Sequence, residues 1–447
     1  MHISLSEHFS YRKLLRFTFP SVIMMIFTSI YGVVDGLCVS NFVGKTPFAA
    51  INLIWPFLMI LGCGGFMIGT GGSALVSKTM GEGDTPRASR YFSLLILFTV
   101  ILGVAITIPG FFLIKPVAIL LGADEAMLPH CVTYGRILLL GQTAFMLQGV
   151  FQSFLVTAER PTLGLLVTVG AGVTNMVLDV LFIAILDWGL IGAAAATVSS
   201  QVVGGVIPLI YFLLPNKSPL RIIRPRTGIS ESLRVIGRVT LNGSSELMTN
   251  ISMSVVSMLY NYQLMRLAGE DGIAAYGVMM YVSFVFIAVF IGFAIGSAPI
   301  VGFHYGAGNH SELKSLLRKS MVLTVLTGVG MAALSVALAT PLSGIFVGYD
   351  EGLYALTRRG FLLYSSSFLF AGFGILGSSF FTALGNGGVS AAISFLRTLL
   401  FQVAAVLILP VFFDIDGVWL SVTAAEILAT AVTFLFLFGM RRKYKYM

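Results

Sequence analysis

The chain is predicted to be an all-α polytopic membrane protein of twelve transmembrane helices, built as two pseudo-symmetric six-helix bundles. Three observations predict this. Of the 447 residues, 57% are hydrophobic and only 10% charged, with a mean hydropathy of +0.94, whereas a soluble domain carries about 25% charged residues. The apolar residues gather into runs of about 20, the length that crosses a hydrocarbon core. One long polar connection divides those runs six and six, and glycines recur across it at a shift of 225 residues.

The runs lie near residues 15–39, 50–77, 91–114, 132–157, 162–186, 190–214, 236–265, 273–303, 316–340, 359–383, 388–412 and 417–440. The first passes through Pro20 to Ser40. It is too long for a leader core and lacks a cleavage site, so it reads as a retained helix. The second and eighth end in Gly81-Glu-Gly-Asp84 and Gly306-Ala-Gly-Asn309. These turns lack the strand, spacing and lysine of a nucleotide loop, and Asp84 and Asn309 read as helix caps. No ATP-hydrolysing motif is present, so energy must come from an ion gradient or downhill flow, and no cofactor is implied. Cys38, Cys63 and Cys131 are odd in number and form no disulfide or metal spacing.

The polar stretch Leu214–Arg238, with Pro215 and Pro219, gives an N-terminal lobe over 1–214, a basic linker over 215–235 and a C-terminal lobe over 236–447. The net charge of +8 is distributed as membrane topology requires, not as a nucleic-acid surface. Most Lys and Arg fall in alternate connections: Arg12 and Lys13, Lys78 and Arg87, Arg160, then Lys217 through Arg226 and Arg234, Lys314, and the tail from Arg441. The positive-inside rule puts both termini on the cytoplasmic side of a cell (inner) membrane, and anionic lipid is the only partner that the basic tail implies. No nucleic-acid partner is expected, and a monomer is.

The shift of 225 pairs Gly71, Gly81 and Gly83 with Gly296, Gly306 and Gly308, and Gly149, Ser153 and Thr157 with Gly374, Ser378 and Thr382. One offset holding across two distant spans indicates an internal duplication. With an even number of spans, the halves enter from the same side and the substrate site falls between them.

Asp35, Asp179, Glu246 and Glu426 lie deep inside apolar runs. A charge at the bilayer centre costs roughly 2.5–3.5 kcal/mol on insertion scales, so such residues mark ion or substrate pathways. Asn175 and Asp179 share a helix face with Thr168 and Gly172, Thr197 shares one with Ser200 and Gln201, and Asp35 one with Tyr31 and Thr28. Oxygen-bearing groups on three helices could enclose a proton or a small hard cation such as Na⁺; alternatively, they satisfy one another as a structural cluster. The shift places Tyr260 opposite Asp35, Ala404 opposite Asp179 and Ser21 opposite Glu246, so the halves share a scaffold without sharing a site. On the seventh span Asn242, Glu246, Thr249 and Asn250 form a separate stripe. Glu246, Asn250, Tyr260 and Gln201 are candidate contacts to a substrate or second ion. Tyrosines and methionines on the seventh and eighth spans suit a permissive apolar pocket. Arg397 is expected to snorkel to the inner interface.

The chain resembles the multidrug and toxic compound extrusion (MATE) family, bacterial-type branch, over nearly its whole length. The likeness is carried by Pro20 with Tyr31-Gly-Val-Val-Asp35-Gly and Val43-Gly44, by Gly71-Gly-Ser-Ala74, and by Gly296-Ser-Ala-Pro299. Its most specific part is Asn175-Met-Val-Leu-Asp179 through Gly189-Leu-Ile-Gly-Ala-Ala-Ala-Ala-Thr197. The resemblance implies two six-helix bundles forming a V around a central cavity. It also implies a cation-coupling site at Asp35, Asn175, Asp179 and Thr197, and secondary antiport of H⁺ or Na⁺ against amphipathic, often cationic drugs, without enzymatic chemistry. Some members carry a further acid on the tenth span; here that span has serines instead, which favours coupling in the N-terminal lobe. The rival reading, a lipid or lipid-linked saccharide flippase, needs a basic cavity that these spans hardly supply.

Overall fold

The computed structural model describes residues 3–43, 45–224 and 228–447, without the side chains at 33, 36–38, 40, 41 and 45. Gly44 and Arg226, and the side chains of Cys38 and Lys45, therefore lie outside the described residues. Hydrocarbon offers no partner to a backbone amide, so the spanning segments satisfy their polar groups internally as helices. In chain order these are α1 (Tyr11–Phe42), α2 (Lys45–Gly81), α3 (Thr85–Leu120), α4 (Leu128–Leu140), α5 (Gln142–Thr157), α6 (Pro161–Asp179) and α7 (Gly189–Leu213). Then come α8 (Ile229–Asn242), α9 (Ser244–Gly306), α10 (His310–Val347), α11 (Glu351–Tyr364), α12 (Phe368–Ala383), α13 (Gly387–Phe395) and α14 (Phe401–Tyr444). Short π segments, Val180–Ile185 and Leu396–Leu400, follow α6 and α13.

Among the described residues nine helical stretches are long and apolar enough to cross a bilayer, and α4 with α5 adds a tenth crossing bent by 56°. Two of the nine are each a pair of crossings. At about 1.5 Å per residue α9 would run to roughly 95 Å if straight, some three times the hydrocarbon thickness. The left-handed backbone of Gly269 (φ 62°) folds it back, and Asp414 (φ 49°) does the same for α14. Twelve crossings result, as the apolar runs predict.

One boundary differs from expectation. The seventh span starts at Ser244, not at 236, because Gly243 ends a separate helix, α8, just before it. This helix is amphipathic, with Val235 and Val239 buried while Arg234 and Arg238 are exposed. A Cβ at Gly243 would run into the backbone of Met67, and one at Gly71 into the carbonyl oxygen of Val239, so the chain bends where two backbones touch. Asn242 consequently leaves the stripe drawn through Glu246; its amide donates to the carbonyl of Thr382 (2.8 Å).

The duplication is visible in the packing. A Cβ at Gly81 would overlap the carbonyl oxygen of Phe303, and one at Gly306 would overlap that of Lys78. Both contacts map onto each other under the shift of 225. The same holds for Gly71 against Gly243 and Gly296 against Thr18. Gly83 and Gly308 both take positive φ, and Asp84 and Asn309 cap α3 and α10 by accepting from Arg87 N (3.0 Å) and Glu312 N (3.1 Å). Glycine at these crossings lets helices approach to backbone contact.

These contacts cluster at the end of the bundle that carries both termini. There Ser4 Oγ and the Leu5 amide donate to Glu159 of the N-terminal lobe (2.8 and 2.7 Å). The Phe9 amide donates to Glu312 of the C-terminal lobe (2.9 Å), which also meets His8, while Lys319 donates to the Phe9 carbonyl. Leu5 and Phe9 are fully buried in one apolar cluster with Tyr444 and Tyr446. The two lobes are thus closed at that end and diverge away from it as a V.

Candidate cation site and central cavity

The N-terminal lobe encloses the acid cluster. On α1, Tyr31 and Asp35 face α6, where Gly172 leaves room for the rings of Phe27 and Tyr31; a Cβ there would strike Phe27. Asn175 and Asp179, only 2% and 1% exposed, follow one and two turns later. Asp179 is the last residue before the first π segment, a widening often found at functional sites. The Asp35 carboxyl meets both Asp179 and Asn175. The approach is poorly aligned, however: among the described residues Asp35 Oδ1, both Asp179 carboxyl oxygens and Asn175 Nδ2 lack a well-formed hydrogen bond. Such orphaned buried atoms call for an explanation.

Thr197 reaches the cluster from α7, with its hydroxyl donating to the Ala193 carbonyl (3.0 Å). Tyr134 of α4 faces Asp35, Asp179 and Thr197 together. Sequence reasoning overlooked it; the available signal was one tyrosine on the face of α4 that buries Cys131, Gly135 and Leu138. The donor set is therefore oxygen-rich, and among the described residues the buried oxygens of Asp179 lack a well-formed hydrogen bond, which fits a proton or a hard cation such as Na⁺. Among the described residues no group of three or more His, Cys, Asp or Glu side chains comes together.

Between the lobes lies a cavity of about 790 Å³. Glu246 lines it, and no described cation pairs with that carboxylate. Tyr260 and Tyr276 line it too, stacked 5.3 Å apart, with the Tyr260 hydroxyl donating to Gln402 Oε1 (2.9 Å). Met253, Met258 and Met280 supply its soft apolar wall, whereas Tyr262 and Tyr281 are exposed on the outer surface and Met279 belongs to the core. Two other candidates are elsewhere. Asn250 is outside the lining and its amide donates to the Glu246 carbonyl (2.8 Å); Gln201 is buried in the N-terminal lobe against Gly141. Asp35, Asn175, Asp179 and Thr197 are also absent from the lining, so cluster and cavity are separate compartments.

Arg397 corrects an expectation. It does not snorkel to the interface. It lies in the cavity wall with Nε donating to both oxygens of Glu426 (3.0 and 2.9 Å), the two side chains being 13% and 5% exposed. Pairing offsets part of the cost of burying each charge, and either charge would be strongly destabilising if left alone.

The MatE family profile matches the chain twice, at residues 20–181 and 247–408. The chain belongs to the MatE family. Its two matches start 227 residues apart, in keeping with the internal duplication. The MatE chain is similar to multidrug export protein MepA of Staphylococcus saprophyticus, with 23% identity over 428 residues covering 94% of this chain and 92% of that protein. It is 22% identical to MepA of Staphylococcus aureus over 437 residues, covering 96% and 94%. Among solved structures, a MATE protein in complex with MaL6 superposes with a TM-score of 0.92 at 23% identity, covering 98% of each chain. An outward-facing multidrug resistance MATE transporter of the MOP superfamily gives 0.92 at 24% identity over 98% of each. The two-lobe MATE transporter fold is therefore that of this chain.

Proposed function

We propose that this MatE-family chain is a multidrug exporter that couples inward movement of H⁺ or Na⁺ to outward movement of amphipathic, often cationic compounds. The observation that carries the proposal is the pair Asp35 and Asp179: two carboxyl groups meeting inside the membrane with no described cation beside them. Two like charges so placed repel, and a proton or cation between them removes the repulsion. Asn175, Thr197 and Tyr134 supply the remaining oxygens. Glu246, in the separate cavity, suits the positive end of a substrate.

In this reading the inner membrane holds residues 1–214 as one lobe and 236–447 as the other, joined by a cytoplasmic linker over 215–235. Both termini are cytoplasmic, and the closed end faces the cytoplasm. Binding of the ion to the aspartates favours the state that releases drug outward. The lobes then rock, the ion leaves, and the empty pair favours loading of the next drug. Such exchange requires the two ligands to differ in affinity between the two states. The flippase alternative draws little support, since among the described residues the cavity holds one basic side chain, Arg397, where a pyrophosphate would need several.

The test is dye efflux from vesicles under pH and sodium gradients imposed separately. One gradient should drive efflux of a cationic dye, and the other should not. If neither gradient moves any cationic dye, the antiport reading is wrong.

A further inference from the structure

Arg397 is the only basic side chain in the described cavity wall, and its ion pair uses it incompletely. Both Glu426 oxygens engage Nε. Among the described residues neither terminal guanidinium nitrogen makes a hydrogen bond, and neither is sealed from the cavity. Arginine carries five N–H donors in a planar fork, so four remain when Nε is taken, and the paired terminal edge matches a carboxylate in two-point geometry.

The surroundings hold that edge in place. Arg397 lies on the second π segment, Leu396–Leu400, whose wider turn aims it inward. Its stem runs across Gly374 of α12, where a Cβ would approach Cδ to 2.6 Å and Nε to 3.1 Å. Tyr364 flanks both members of the pair. At the equivalent place in the N-terminal lobe, Gly149 is filled by the ring of Phe66, so the arginine seat is particular to one lobe. The same cavity carries Glu246 as an acid without a described cation.

We propose that the free edge of Arg397, anchored by Glu426 and seated on Gly374, binds the anionic group of a zwitterionic amphiphile whose cationic end is received by Glu246. The inference rests on the cavity being a substrate site and adds a second, oppositely charged recognition point. Glu426 fixes the guanidinium and forms no contact with the ligand. A cavity of this size accepts a drug-sized molecule, and a few placed polar groups in an apolar wall set its orientation.

Rhodamine B, a carboxylate-bearing zwitterion, and its ethyl ester, a plain cation, differ at the one group in question. Their affinities are measured by fluorescence polarisation on the purified full-length protein in detergent. The ratio of zwitterion to ester affinity should fall roughly tenfold or more in the double variant Arg397→Gln/Glu426→Gln, the scale of charge-assisted hydrogen bonds. Arg397→Lys, which keeps the charge and the pair but lacks the fork, should lower the ratio severalfold and guards against a misfolded double variant. An unchanged ratio in either folded variant overturns the proposal. If the wild type binds the ester and not rhodamine B, this inference alone falls. If it binds neither dye, the cavity reading falls with it.

Discussion

The two lobes share a backbone and handle buried charge in opposite ways. In the N-terminal lobe, Asp35 and Asp179 meet with oxygens that, among the described residues, lack a well-formed hydrogen bond. In the C-terminal lobe the position matching Asp35 is Tyr260, whose hydroxyl is satisfied by Gln402, and Glu426, buried within its spans, is held by Arg397, while Glu246 faces the cavity. Duplication kept the glycines at the helix crossings, where geometry admits no larger residue, and released the polar interior to diverge. Among the described residues the N-terminal lobe therefore buries a carboxyl pair with no cation beside it. The C-terminal lobe buries Glu426 with its cation built in and leaves Glu246 at the cavity.

The contrast is broken most severely at the unpaired acids. Asp35→Asn and Asp179→Asn should each abolish gradient-driven efflux, a loss beyond tenfold given coupling energies that are typically about 5- to 150-fold in affinity. Vesicle efflux measures it; retention of full rate by both variants, with loss on Glu246→Gln, would move the coupling site to the cavity. Stability should respond the other way round. Arg397→Gln strands Glu426 and should destabilise the fold by about 3–5 kcal/mol, while Arg397→Met/Glu426→Leu should be close to neutral. Asp179→Asn, which removes a charge that no described residue neutralises, should leave thermal unfolding in detergent unchanged or raised.

The shared scaffold predicts equal effects on both sides. Gly81→Val and Gly306→Val should each disfavour the closed end by about 1–3 kcal/mol, since each side chain would be driven into a carbonyl of the opposite lobe. Spin-label distances across that end should lengthen in both variants; lengthening in only one would show that the crossing is not reciprocal. The smallest effect is at the caps. Asp84→Ala and Asn309→Ala should each cost about 1 kcal/mol in unfolding free energy.

Much of this architecture was legible in the sequence because lipid enforces simple rules. Span number follows from apolar length, and the repeat from glycines such as Gly81 and Gly306 that tolerate no substitute at a backbone contact. The juxtaposition of Asp35, Asn175 and Asp179 was readable because a buried carboxylate is conspicuous and helical spacing fixes its face. What escaped depends on which neighbour a face meets. Arg397 and Glu426 are 29 residues apart across the fold at Asp414, and nothing in either span reveals that they point at each other. Asn250 and Gln201 sit on polar stripes, yet Asn250 falls just off the face by which Glu246 and Thr249 line the cavity, and the stripe of Gln201 is buried away from it. Gly243 resembled any small residue of a long helix until the backbone of Met67 was seen against it.

Residues 4 to 9 grip Glu159 on one side and Glu312 on the other, so the earliest stretch of polypeptide doubles as a clasp across the seam. Opening that seam means unfastening the clasp. In the proposed rocking cycle an affinity handle or fluorescent fusion at the amino end would pull on the fastening itself, which makes that end a poor choice for a label.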